Sequence, residues 1–158
     1  MERTGLEAAL VLHSGELTEK QTVDRILACN ETTEAYGLRL TEAQAQALAH
    51  TRTASLKDTR RIEFGSETVN KLILAVCDSP YVTQENYEET LHEWICLFYD
   101  MKNATWDRIS DDDLIGFMAA AWNGICCGST ELLAEQAMEL AEHIRCGNDI
   151  SSFFGKEE

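Results

Sequence analysis

The sequence has one proline, few basic residues and no long hydrophobic run. The scarcity of proline argues against a proline-rich linker, and 158 residues suffice for one domain with its own core. The longest early apolar run, Ala8 to Leu12, is much shorter than the roughly 20 residues that cross a bilayer as a helix. Met1 to Gly5 form no basic segment leading into a long apolar stretch, as a secretory signal would. We therefore expect a cytoplasmic protein with no membrane contact.

Basic residues are outnumbered by acidic ones about two to one. The chain has 13 Lys and Arg against 28 Asp and Glu, which gives a formal net charge of −15 at pH 7. A surface of this sign repels nucleic-acid phosphates and attracts cationic surfaces. We expect no direct nucleic-acid binding, and we expect that a partner is another protein with a basic surface. The composition leaves the oligomeric state open.

The motifs of several common enzyme classes are absent. The sequence has no phosphate-binding glycine loop, dinucleotide fingerprint, Gly-x-Ser-x-Gly elbow, His-Glu-x-x-His helix or Cys-x-x-Cys pair. This favours a protein that is not an enzyme and predicts no cofactor. Six cysteines occur without a secretory signal, so we expect reduced thiols rather than a disulfide framework.

Apolar residues recur at helical spacing in six segments, most of which begin at a capping residue or end at glycine or proline. The pattern predicts a single all-α domain over residues 1–158, a bundle of about six helices. Residues 61–64 alternate like a strand and could pair with residues 8–12 in one very short β pairing. The predicted helices span 18–29, 41–58, 66–77, 83–102, 110–124 and 130–146, with a loop at 30–37 and a short tail at 148–158.

The fourth predicted helix contains the unbroken apolar run Trp94 to Tyr99. An α-helix that is apolar on more than one side is expected to contact neighbours on more than one side. We therefore predict that this helix is central in the bundle.

Two predicted helices combine histidine, cysteine and glutamate at spacings of three and four residues. If the two faces met, they could bind zinc or form a di-metal centre, as in a metal- or thiol-dependent helical-bundle enzyme. Both faces lie away from the apolar stripes, so we favour two solvated acidic faces over a metal site. The candidate metal ligands are Glu89, His92 and Cys96 on the fourth helix and Glu139, His143 and Cys146 on the sixth.

Cys126 and Cys127 are adjacent thiols just after the fifth predicted helix. A thiolate near the start of the next helix could have a lowered pKa and act as a nucleophile or redox sensor. No histidine lies nearby in sequence to serve as a base. We favour cysteine used as a small buried apolar residue.

Residues 50–61 invert the charge of the chain. Arg52, Lys57, Arg60 and Arg61 lie there with Asp58 alone, so the remaining residues carry −18. The segment could bind an anion or an acidic partner. We favour pairing of these side chains with the protein's own acidic faces.

Aromatic residues suggest two further features. A small-molecule cavity could lie near Trp94, Trp106 or Trp122, although tryptophan at core spacing is more often packing. Phe153 and Phe154 in the tail could dock between helices or anchor a partner.

Four short segments together resemble an uncharacterised family of small acidic helical bacterial proteins, a domain of unknown function. The resemblance covers most of the chain from about residue 20 onward. It implies one bacterial cytosolic domain and no particular activity. The segments are Gly37 to Thr41, Arg61 to Gly65, Asp78 to Val82 and Ser110 to Leu114.

The sequence favours a non-enzymatic, acidic, helical protein-interaction module. One alternative is the metal- or thiol-dependent bundle enzyme described above. Another is a nucleic-acid mimic, whose carboxylates imitate phosphates and so inhibit a nucleic-acid-binding protein.

Overall fold

The computed structural model describes residues 19–63, 65 and 67–155. Over these residues the fold is all-α, as predicted, and contains no strand. No helix in the described ranges is long and apolar enough to cross a membrane. The helices are α1 (residues 19–28), α2 (Asn30–Thr33), α3 (Glu42–Asp58), α4 (Glu67–Val76), α5 (Tyr87–Ala104), α6 (Asp111–Asn123), α7 (Thr130–Arg145) and α8 (Ile150–Gly155).

The predicted loop at 30–37 is wrong, because these residues form α2 and a 3-10 turn at Glu34–Tyr36. The buried Asn30 amide donates to the Leu40 carbonyl at 2.9 Å, and its oxygen accepts from the Leu40 N–H at 2.9 Å. Gly37, at φ 77°, then ends the turn. Side-chain hydrogen bonds rather than an apolar stripe hold this segment, which is why hydrophobic periodicity did not reveal it.

Residues 61–63 are not a strand. Their alternation has another cause: Ile62 points outward, while Arg61 and Glu63 are ion-paired to other parts of the chain. Residues 8–12, the other half of the predicted β pairing, lie outside the described residues.

Helix starts follow the predicted capping chemistry at Thr41, Ser110 and Ser129 and depart from it at Thr83. Thr41 Oγ1 accepts from the Gln44 N–H at 3.2 Å, and the Gln44 side chain accepts from the Thr41 N–H at 2.8 Å. Ser110 caps α6 with a single bond, its Oγ accepting from the Asp113 N–H at 3.1 Å. Thr83 does not cap α5, which begins at Tyr87, because Thr83 instead forms a turn with Asn86, its N–H donating to Asn86 Oδ1 at 2.8 Å.

α5 is the central helix, as its apolar run predicts. It packs against α3, α4, α6 and α7. Trp94, Ile95, Phe98 and Tyr99 are fully buried, and each such side chain contributes about 1.5–3 kcal/mol of transfer free energy. α5 therefore organises the core and places its remaining face beside α7.

The tail contains a helix that docks on the bundle. In α8, Phe153 is buried, with its ring edge-on to Phe117 and to His143 at centroid distances of 5.7 and 5.5 Å. Docking of Phe153, one of the two predicted alternatives, is therefore found. The Phe154 side chain lies outside the part of the chain that the structure describes.

Candidate interaction site

An open groove runs between α5 and α7. Two adjoining cavities of about 330 and 340 Å³ lie along this helix pair. Leu97, Asp100 and Ala134 line both cavities, so the two form one continuous depression. We call it the α5–α7 groove. It extends from Trp94 on α5, at one end, to Ala104 at the other.

Small side chains on α7 explain why the groove is open. Ala134, Ala137 and Ala141 line it, and an alanine has no side chain beyond Cβ to fill the space towards α5. Met138, which is long enough to do so, is instead 70% exposed, and Leu97 is only half-buried. Ala137 and Ala141 themselves are buried. The apolar surface that the groove exposes, which is its floor, therefore comes from Met138 and from the partly buried Leu97 and Ala134.

Carboxylates surround this apolar floor. Glu93, Asp100, Glu131 and Glu142 line the groove, and among the residues that the structure describes Arg145 is the one basic residue lining it. Arg145 Nη1 donates to the Ala104 carbonyl at 3.2 Å. Partial burial, followed by the charge of Asp58, raises the pKa of the Asp100 carboxyl. A cation placed in the groove would relieve this repulsion.

His92 faces α3, whereas Cys96 lies at the edge, contacting Ser55 of α3 and also lining the α5–α7 groove. His92 Nδ1 lies 2.6 Å from Thr51 Oγ1, and its Nε2 lies 3.0 Å from Glu88 Oε2. Cys96 is exposed, and its Sγ accepts from the Ser55 hydroxyl at 3.7 Å. The His92 ring is thus fully engaged by a threonine and a glutamate.

His143 and Cys146 lie at the other end of α7, beside α8. His143 is buried, and its Nε2 lies 2.9 Å from the Asp149 carbonyl and 3.0 Å from Ser152 Oγ. Cys146 and Glu139 are exposed, as is Glu89 on α5. The structure does not bring the two predicted faces together. Among the residues it describes, no group of three or more His, Cys, Asp or Glu could hold a metal ion.

The adjacent cysteines differ in environment. Cys126 is buried, and burial, together with the nearby Cys127 and Glu135, raises the pKa of its thiol. Cys127 is exposed, and its Sγ donates to the Gly124 carbonyl at 3.3 Å. A raised pKa is the opposite of what activates a nucleophile, so Cys126 is suited to packing.

The basic segment divides into paired and unpaired members. Arg52 is 2% exposed, with its Nη2 3.1 Å from Glu63 Oε1 and 2.6 Å from the Gly65 carbonyl oxygen. Arg61 Nη1 lies 2.5 Å from Asp107 Oδ1. Lys57 and Arg60 are exposed, and neither forms an ion pair within the described part of the chain. Intramolecular pairing therefore accounts for two of the four residues.

Sequence reasoning missed the partners of Arg52. Glu63 Oε1 also accepts from the Tyr99 hydroxyl at 2.7 Å, and Glu63 Oε2 accepts from Thr68 Oγ1 at 3.2 Å. Burial and the charge of Glu63 raise the pKa of the Tyr99 hydroxyl. These residues come from α3, α4, α5 and the segment between α3 and α4. No spacing in the sequence connects them, so no local signal could have found the cluster.

The three tryptophans are not equivalent. Trp94 and Trp122 are buried and pack edge-to-face with ring centroids 5.8 Å apart. Trp94 also lines one end of the α5–α7 groove. Trp106 is 60% exposed. Of the three, Trp94 is the one that contributes to the groove.

The chain matches a protein family over most of its length. The model of a family of unknown function, DUF6323, matches residues 25–150. Neither the curated proteins nor the solved structures include a match to the chain.

Proposed function

We propose that this chain, which belongs to the DUF6323 family of unknown function, is an acidic protein-interaction module whose α5–α7 groove binds a basic amphipathic helix of a partner protein. The observation that carries the proposal is the apolar floor of the groove surrounded by four carboxylates and one arginine. Amphipathic helices bind in apolar grooves through one face, while flanking charges choose the partner.

The dimensions of the groove suit a short helix. Trp94 and Ala104 are ten positions apart on α5, which corresponds to about 15 Å at 1.5 Å per residue. This length accommodates about three helical turns, so a ligand can place apolar side chains at i, i+3 or i+4, and i+7. Leu97 and Met138 provide apolar contact. Lysine or arginine on the ligand's flanks would lie near Glu93, Asp100 and Glu131.

The two alternatives receive less support from the same geometry. A metal- or thiol-dependent enzyme needs His92 and His143 to act together, but each is engaged by different neighbours. A mimic of nucleic acid needs an array of charges, whereas the centre of this groove is apolar. Apolar contact favours a folded helix as ligand.

A synthetic helix tests the proposal directly. The probe is a fluorescein-labelled peptide with leucine on one face and lysine on both flanks, titrated with the full chain and followed by fluorescence anisotropy. One control peptide replaces every lysine with glutamate, and another replaces every leucine with alanine. We expect each control to bind at least about tenfold more weakly. We also expect the affinity of the lysine peptide to fall as salt is raised, because the rim charges are screened.

Two matched variants locate the binding site. Met138→Lys places a cation on the exposed edge of the groove, and Leu74→Lys places one at a half-exposed apolar position on α4. We expect Met138→Lys to weaken binding about tenfold or more, because it removes an apolar contact and repels the ligand's lysines. Leu74→Lys should retain most of the affinity. Equal affinity of the two variants, or equal binding of the lysine and glutamate peptides, would contradict the proposal.

A further inference from the structure

A second surface lies where the chain leaves α3 and α5. The residues after α3 and those after α5 are joined by the ion pair between Arg61 Nη1 and Asp107 Oδ1, at 2.5 Å. Arg61 is largely buried in this contact, with 23% of its side chain exposed. The two turns therefore form one continuous surface rather than two independent loops.

Both turns close with the same backbone hydrogen bond, although Asp107 in the second turn is also left-handed, at φ 59°. After α3, the Arg61 N–H donates to the Leu56 carbonyl at 2.8 Å; after α5, the Asp107 N–H donates to the Lys102 carbonyl at 3.0 Å. Each is the six-to-one hydrogen bond of a Schellman motif, in which the left-handed residue is usually glycine. Here those residues are Arg60, at φ 56°, and Trp106, at φ 55°. A large side chain thus occupies the position that glycine would take at lower conformational cost.

Two large apolar side chains on these turns are exposed to solvent. Ile62 is 80% exposed and Trp106 is 60% exposed, whereas the other two tryptophans are buried. The Arg108 guanidinium carbon lies 4.8 Å from the centroid of the Trp106 ring, which is a cation–π contact. The ring is therefore held in one position although most of it remains accessible.

Two exposed arginines lie on this surface beside several acidic residues. Asp107 pairs with Arg61 and lies 3.8 Å from Lys102 Nζ, and Asp113 and Asp149 line a cavity together with Arg108. Arg60 and Arg108 are exposed, and neither forms an ion pair within the residues that the structure covers. They flank Ile62 and Trp106 in a chain whose formal net charge is −15. We call these four residues the basic–apolar surface.

We propose that the basic–apolar surface is a second protein-binding site, which binds an acidic peptide segment carrying an aromatic or aliphatic side chain. The ligand's apolar side chain would pack on Trp106 and Ile62, and its carboxylates would pair with Arg60 and Arg108. Arginine and tryptophan together are typical of the residues that dominate binding energy at interfaces. The inference goes beyond the proposed function, because a chain with an acidic groove and a basic surface can connect two partners of opposite charge.

A peptide fits this surface better than a single-stranded nucleic acid does. Base stacking on Trp106 and phosphate contacts to the two arginines would use the same chemistry. A polyanion longer than the surface, however, would also meet the strongly acidic remainder of the chain, which repels it. A short acidic segment pairs with the arginines and ends before that repulsion becomes important.

Nuclear magnetic resonance on the full isotope-labelled chain tests the inference. The probes are the capped peptides Glu-Glu-Phe-Glu-Glu, Lys-Lys-Phe-Lys-Lys and Glu-Glu-Ala-Glu-Glu, and a thymidine oligonucleotide. We expect the first peptide to shift the indole N–H signal of Trp106 and the methyl signals of Ile62, while the indole signals of Trp94 and Trp122 stay in place. The other three probes should produce much smaller shifts. No shift with the first peptide, or a larger one with the oligonucleotide, would overturn the proposal.

Variants separate this surface from the groove. Arg108→Gln should weaken binding of the acidic peptide about two- to fivefold, the range for an accessible ion pair. Trp106→Gly retains the left-handed turn and should abolish the Ile62 shifts. Lys71→Gln, which also removes an exposed cation, and Met138→Lys in the groove should leave binding unchanged. Loss of acidic-peptide binding in Lys71→Gln to the same extent as in Arg108→Gln would show that only net charge matters and would refute the site.

Discussion

α3 and α7 pack on different sides of α5, and the two interfaces are built differently. On the α3 side, Ala45, Leu48 and Ala49 are fully buried. Beyond them Arg52 reaches inward to Glu63, which also accepts from Tyr99 of α5. On the α7 side, Ala134, Ala137 and Ala141 line a groove against α5, and Met138 beside them is largely exposed.

The two interfaces differ in how the charged residues beside the small ones are paired. On the α3 side, a buried arginine and a glutamate neutralise each other. The Tyr99 hydroxyl donates to the same glutamate oxygen as Arg52, and the Thr68 hydroxyl donates to the other. On the α7 side, carboxylates such as Glu93 and Asp100 surround an apolar floor without matching cations at the groove, apart from Arg145. Removing one partner of a compensated buried pair destabilises the fold, whereas uncompensated charge beside apolar surface is available to a ligand. One central helix thus separates an interface with paired charges from the groove that we propose as a binding site.

The largest expected effect on the free energy of unfolding is on the α3 side of α5. Arg52→Ala leaves the Glu63 carboxylate largely buried without its guanidinium partner, and breaking a buried pair in this way costs about 3–5 kcal/mol. The free energy of unfolding, measured by urea titration, should fall by this amount. Arg60→Ala, on the same segment but exposed, should change it by less than about 0.5 kcal/mol.

A second substitution shows whether the lost pairing is the cause. Removing the charge of Glu63 as well, in the double variant Arg52→Ala with Glu63→Gln, should recover part of the lost stability. A double variant less stable than Arg52→Ala alone would indicate that packing of the arginine side chain, rather than charge compensation, stabilises the α3 side of α5.

A smaller effect is expected at Tyr99. Tyr99→Phe removes the hydroxyl that donates to Glu63 at 2.7 Å, and a hydrogen bond to a charged group contributes about 1.5–3 kcal/mol. Because the folded pKa of this hydroxyl is raised above its usual value, its contribution is fully present below about pH 10. It is lost as the pH rises further through the folded pKa. Unfolding curves of the native chain and of Tyr99→Phe should therefore converge in alkaline solution. A constant difference between them up to strongly alkaline pH would contradict this linkage.

The two sides also differ in how far the sequence predicts them. The run Trp94 to Tyr99 predicts a central helix, and Thr41 and Ser110 predict where helices begin, because these signals lie within a few consecutive residues. Asn30 shows the limit of that approach: its amide bonds to Leu40 fold a segment that periodicity assigns to a loop.

Contacts between residues far apart in the sequence cannot be predicted from such local patterns. Arg52 lies in a run of basic residues that suggests an exposed patch, yet its burial depends on Glu63 and on Tyr99 of another helix. The groove likewise depends on which alanines of α7 face α5, which is a property of packing. Pairing of the basic segment within the chain was favoured from sequence, and it occurs for Arg52 and Arg61.

The smallest expected effect on stability is at Asp100, which lines the α5–α7 groove. Its folded pKa is raised by partial burial and by Asp58, so the ionised form opposes folding, and stability falls as the pH rises from about 3.9 through the folded pKa. Asp100→Asn removes this cost. It should raise the free energy of unfolding at neutral pH by a few tenths of a kcal/mol, a small gain because the side chain is exposed and screened by solvent.

The same substitution should weaken binding of the lysine-flanked helix about two- to fivefold, because it removes one rim carboxylate. Denaturant titrations of Asp100→Asn above and below the folded pKa, combined with the anisotropy assay, measure both effects on one protein. A carboxylate that costs stability and contributes affinity belongs to a binding surface. If Asp100→Asn lowered stability at neutral pH, Asp100 would instead resemble Glu63 as a structural acid, and the contrast between the two sides of α5 would not hold.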